Sequence, residues 1–223
     1  AAPAVAGTEA RVGRLGAALG AVAGARPRVQ RSVVVGVLSG LAQRGKKYCA
    51  AAMQSFTGAE VIGTTAPQRL TAGFYSYVGE AAERQKDFVL AEKSFLKSVE
   101  LDPDFAESLN YLGYMWADRN EKLGQARELI EHAVRLEPKN AAFLDSRGWV
   151  YFRLKQPKKA LEYILRSIEQ SKEPDATLYD HLGEIYLAMG QGRDAVVAWE
   201  KSLKIEANDE VKRKLEKASP AAK

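Results

Sequence analysis

One cysteine, Cys49, and two histidines, His132 and His181, are all that 223 residues hold of the side chains best suited to soft-metal or proton chemistry. A disulfide within the chain is excluded, and no cysteine-histidine metal cluster can be assembled. His181 and Glu184 stand at i, i+3, a spacing that would ligate a metal only if further ligands arrived from elsewhere; a solvated or groove-facing pair is expected instead. His132, beside Glu131, is expected at the surface. No window is long and apolar enough to span a bilayer. Phosphate-binding glycine loops are missing too, since Gly190-Gln191-Gly192 reads as a turn between two helices. With nucleophile-base pairs and cofactor motifs absent as well, neither an enzyme nor a cofactor is expected.

Acidic residues are scarce in the first third of the chain. Residues 1–71 carry 9 Lys/Arg against 2 Asp/Glu, and residues 72–223 carry 24 against 26, so the overall +5 belongs to the N-terminal part. Within residues 1–31 Glu9 is the only acid and large apolar side chains are few, which leaves too little burial to offset ordering entropy. This stretch reads as a flexible Ala/Gly/Arg-rich arm, a linker to upstream sequence. Leu15 to Ala25 also fits the remnant of a signal or transit segment. A basic arm would attract phosphate backbones or anionic lipid, but a solvated linker has the same composition and is the preferred reading.

What the chain has in abundance is periodicity. Gly79, Gly113, Gly148 and Gly183 recur at intervals of 34, 35 and 35 residues, and Ala91, Ala126, Ala160 and Ala195 follow at 35, 34 and 35. Each glycine interrupts an amphipathic helical pattern, where it costs about 1 kcal/mol relative to alanine, so four at one phase imply close helix contact. Four residues after each alanine stands a large side chain, Phe95, Ile130, Ile164 or Trp199, expected to fill the seam between one helix pair and the next. Pro103, Pro138 and Pro174 close the first three units, and Asp104, Asn140 and Asp175 are placed to cap the helices that follow. Each unit is helix, tight turn, helix, stop.

The segments Leu112-Gly113, Gly148-Trp149-Val150-Tyr151 and Leu182-Gly183-Glu184-Ile185-Tyr186, with the later Ala, large residue and Pro, resemble the tetratricopeptide repeat. Arg147 departs from the apolar residue found before the other glycines. The resemblance implies an all-α fold, an α-solenoid of antiparallel helix pairs, with four clear units over 72–209 (72–105, 106–140, 141–175 and 176–209). A degenerate fifth is expected over 32–71, where Val34, Val37, Leu38 and Leu41 share one helix face. The register of its second helix stays open between Ala50 and the trio Ala52, Phe56 and Ala59. Residues 210–223 read as a polar capping helix, started by Asn208 and Asp209, and a tail.

In this family the first helices line a concave groove, and the partner-facing positions lie six and three before the glycine and one and four after it. Carried onto this chain, with Tyr111 beside them, they put Glu80, Glu107, Asn110, Tyr111, Tyr114, Asp145, Trp149, Phe152, Asp180 and Glu184 in an acidic, aromatic groove. Tyr114 and Trp149, at one phase in adjacent units, are expected to stand exposed side by side as binding anchors; for Tyr111 and Phe152 exposure and internal packing remain equal alternatives. Chaperone-binding relatives clamp a C-terminal carboxylate with Lys, Asn and Arg, whereas Glu80, Asn110, Asp145 and Asp180 stand here, so a basic or aromatic-containing protein segment is the expected partner. Nucleic acid is disfavoured because phosphates would meet these carboxylates. The implied role is a non-catalytic adaptor or scaffold subunit of a larger assembly. The alternative is an accessory subunit tethered to a membrane surface or nucleic acid through the arm. The segments around Tyr114 and Trp149 look like those of bacterial repeat proteins, which favours an envelope-associated or periplasmic setting over the cytoplasm.

Overall fold

In the computed structural model, residues 71–218 are described. The arm at 1–31 and all but the last residue of the degenerate unit at 32–71 lie outside them. Nine helices follow one another among the described residues: α1 Ala72–Arg84, α2 Phe88–Leu101, α3 Ala106–Asp118, α4 Leu123–Leu136, α5 Ala141–Arg153, α6 Pro157–Gln170, α7 Ala176–Ala188, α8 Gly192–Ile205 and α9 Asp209–Ala218. The chain falls into two compact units that divide between Ser108 and Leu109.

Helix starts are set by short polar side chains that accept from otherwise orphaned N–H groups. Thr71, Asp87, Asn140 and Asp175 do this for α1, α2, α5 and α7, and Asn208 does it for α9, accepting from Glu210 N at 2.9 Å. Asp104 is not in the cap position expected of it. Phe105 directly precedes α3, and the Asp104 N–H is taken by the Asp102 carboxylate at 3.1 Å.

First helices end in a Schellman arrangement, in which the residue past the helix is left-handed and two N–H groups turn back onto the last carbonyls. The left-handed residues are Lys86, Asn120, Lys155 and Gly190. Beyond each, Asp87 donates to Ala82, Glu121 to Trp116, Gln156 to Tyr151 and Gln191 to Tyr186, at 2.8–3.0 Å. Only the last corner uses glycine.

Within a pair the repeated glycine is the seat of the large residue on the second helix. A β-carbon on Gly79 would lie 2.6 Å from the Phe95 ring, on Gly113 2.6 Å from Ile130, on Gly148 2.7 Å from Ile164, and on Gly183 2.5 Å from Trp199. Phe95, Ile130 and Ile164 are fully buried and Trp199 nearly so. Each of the four thus packs onto the bare helix face of its own pair, a closer fit than the expected seam filling between pairs. The alanines take part through the backbone: the Ala126 carbonyl would meet a Gly113 β-carbon at 2.8 Å.

A buried serine adds a second tie inside three of the pairs. Ser98, Ser167 and Ser202 on second helices donate to the carbonyls of Ala72, Ala141 and Ala176, the first residues of α1, α5 and α7, at 2.8, 2.6 and 2.8 Å. Between pairs, α4 packs on α5, α6 on α7 and α8 on α9, while α5 also touches α7 directly. Apolar clusters in the C-terminal unit include one around Ile164, Leu182 and Ile185 and one around Trp199, Val211 and Ala218.

Candidate functional site

In the unit from Leu109 onward, the first helices and α9 enclose an open cavity of about 260 Å³. Its walls include Tyr114 and Asp118 from the end of α3, Trp149 and Arg153 from α5, Asp180, His181 and Glu184 from α7, and Glu210 and Lys214 from α9. Four of the ten groove residues named from sequence line it: Tyr114, Trp149, Asp180 and Glu184. Glu80 and Glu107 belong to the other unit, where Glu80 is buried 3.9 Å from Arg84 and Glu107 is half-buried. Asn110 is buried with its Oδ1 unbonded among the described residues, and Tyr111 is half-buried.

Tyr114 and Trp149 are not the exposed anchors expected. They are 7% and 6% exposed, because His181 stands between them and closes their faces. The imidazole stacks on the Trp149 ring at 4.1 Å between centroids and lies 6.2 Å from Tyr114, while Phe152 stacks on Trp149 at 5.1 Å. Phe152 is half-buried, packed against Trp149 and the cluster around Ile164 and Leu182. His181 is itself buried, so of the two alternatives for the His181–Glu184 pair the solvated one does not apply and both residues line the cavity, and His132 is half-buried instead of exposed.

His181 is held by Asp145, which is 2% exposed and sits with its Oδ1 2.8 Å from His181 Nδ1. Burial alone would lower the imidazole pKa, but the Asp145 charge and hydrogen bond, helped by Asp180 and Asp118, raise it above the ordinary value. A protonated ring is thereby favoured, flat on the indole face where a cation is attracted. Asp145 is consequently an internal counter-ion, not a carboxylate that steers a partner.

Asp180 and Glu184 are also engaged. Trp199 on α8 donates through Nε1 to Asp180 Oδ1 at 2.9 Å, and Lys214 on α9 donates to both Asp180 oxygens at 2.9 Å and to Glu184 at 2.6 Å. Burial works against the Lys214 charge, yet bonds from Glu184 and Asp180 outweigh it and raise its pKa. Asp180 therefore ties three helices together. Among the described residues no three His, Cys, Asp or Glu side chains converge as a metal would need, and no helix is long and apolar enough to cross a membrane.

A family model of the tetratricopeptide repeat matches residues 52–213. The chain belongs to the tetratricopeptide repeat family. A TPR repeat-containing protein of Pseudomonas aeruginosa is 39% identical over 103 residues, which cover 46% of this chain and 17% of that protein, so only a small part of the relative's length is represented. Among solved structures, a TPR protein of Thermus thermophilus superposes with a TM-score of 0.64 at 21% identity, over 85% of this chain and 98% of its own. PilW, a type IV pilus biogenesis factor, superposes with 0.65 at 17% identity, over 81% and 78%. These two show the shared fold.

Arg153, Lys214 and Asp118 escaped the sequence reading of the site, and His181 was read only as a solvated or groove-facing partner of Glu184. Arg153 and Asp118 each lie one residue past a position the family pattern marks. Lys214 had a signal: with Val211 and Ala218, at i−3 and i+4, it shares the buried face of α9.

Proposed function

We propose that this chain is a non-catalytic interaction module that binds a protein segment at the cavity bounded by α3, α5, α7 and α9, as a subunit or adaptor of a larger assembly. The observation that carries this reading is the cavity itself, open to solvent, floored by a rigid aromatic stack and rimmed by charged side chains. A pre-packed floor loses little entropy when a segment docks, which favours affinity. The tetratricopeptide fold supports the general role.

Peptides selected from a random display library against the chain provide the test. A bulky rim substitution, Glu210→Trp, is expected to weaken their binding roughly tenfold, as loss of a well-fitted contact does. Lys158→Glu, on the exposed face of α6, is expected to leave it unchanged. The reverse pattern would place the docking surface on the second helices.

A further inference from the structure

We infer that the cavity is a receptor for a lysine or arginine side chain of the partner segment, and that Lys214 of the chain's own last helix occupies that receptor in its absence. The inference rests on the segment-binding reading above and names the chemistry of the segment.

Three features point to it. The first is the ammonium already in place: Lys214 Nζ lies 2.6–2.9 Å from Asp180 and Glu184, although it comes from a different helix. These carboxylates thus form a cradle of the right size for a cation, held rigid because Asp180 is also bonded to Trp199. The second is the charge left over. Asp118 and Glu210 stand on the same cavity with no hydrogen-bonded or ion-pair partner for their carboxylates among the described residues, and Glu206 lines it too, whereas Arg153 is the one other basic side chain on its wall apart from His181. Lys214 does not neutralise the site, and an incoming cation gains from what remains.

The third is the wall beside the cradle. Trp149 and Tyr114 line that wall as a closed packing surface, with His181 and Phe152 covering most of their rings, so the carboxylates and not the ring faces would receive an incoming cation. The Trp149 Nε1–H is buried and without an acceptor among the described residues, a donor left over for a segment that opens the stack as it docks. A peptide whose lysine enters the cradle must displace Lys214, which α9 holds beside only two buried residues, Val211 and Ala218. Lys214 is therefore a competitor, and its removal should help the ligand.

The test uses the full chain and two labelled probes, the amidated peptides Gly-Lys-Tyr-Lys-Gly and Gly-Glu-Tyr-Glu-Gly, titrated by fluorescence anisotropy. The lysine peptide is expected to bind saturably and to lose affinity with added salt, and the glutamate peptide is expected not to bind. Lys214→Ala should tighten the lysine peptide roughly three- to tenfold by freeing the competent state, with circular dichroism confirming the helices. Asp118→Lys, on an exposed residue that holds no helix together, should weaken it by a similar factor and keeps the test meaningful if Lys214→Ala fails to fold. Unchanged or weaker binding in folded Lys214→Ala, an Asp118→Lys variant that binds as well as the parent, or a glutamate peptide that binds equally well would overturn the inference. If display selection yields rim-sensitive peptides with no lysine or arginine, segment binding stands and the cation receptor falls; if no peptide of any kind is captured, both fall.

Discussion

Gly148 and Gly124 show how the same residue type means opposite things at two positions. A β-carbon at Gly148 would meet Ile164 at 2.7 Å and the Ala160 carbonyl at 3.1 Å, whereas one at Gly124 would meet nothing within 4 Å. Gly148→Ala is expected to destabilise by about 1–3 kcal/mol through overpacking, and Gly124→Ala to stabilise by about 0.4–1 kcal/mol by restricting the unfolded chain. Urea denaturation of both variants measures this; equal effects would contradict the assigned seat. His181 makes a second residue-scale prediction. Its pKa is raised in the fold, by Asp145 from α5, Asp180 from its own helix and Asp118 from α3, against burial. The stabilisation is therefore complete below the ordinary value of 6.5 and is lost as pH rises through the folded pKa. Urea midpoints of the parent should fall on going from about pH 6 to 8.5, and His181→Gln should flatten that dependence; a parallel fall in both would assign it elsewhere.

At the scale of helices and corners, the left-handed residue after each first helix separates Gly190 from Lys86, Asn120 and Lys155. Gly190→Ala adds a β-carbon at φ +77° and is expected to destabilise by about 1 kcal/mol, read as a shift in denaturant midpoint; no shift would mean the corner relaxes. Most of this level was legible in the sequence. The glycine and alanine phases announced the helix pairs, and Asn140, Asp175 and Asn208 cap as their spacing suggested, because these signals are local. The site was legible only in outline. Family phase put Tyr114, Trp149, Asp180 and Glu184 on one cavity, but whether a side chain there is free depends on what comes from elsewhere in the chain. His181 meets Asp145 across 36 residues and Lys214 meets Asp180 across 34, pairings that no local pattern encodes. An expected row of exposed aromatics and loose carboxylates became a packed stack and a helix knot for that reason.

For the molecule, α9 is both lid and competitor. Val211 and Ala218 cover Trp199 and Ala195, so a chain ending at Asn208 should expose that cluster and melt roughly 5 °C lower or more; an unchanged midpoint by calorimetry would show that α9 adds no core. The serine ties have another consequence. Sliding one helix along its mate by a turn, 5.4 Å, would strand a hydroxyl and break the bond to the carbonyl 26 residues away, so a tied pair cannot shear. The α3–α4 pair carries Ala133 where the others carry Ser98, Ser167 and Ser202. It is the one described pair without this latch, and amide hydrogen exchange is expected to run faster in α4 than in α6 or α8. Any elastic give in the repeat array should be concentrated there, where axial slip breaks no serine-to-carbonyl bond.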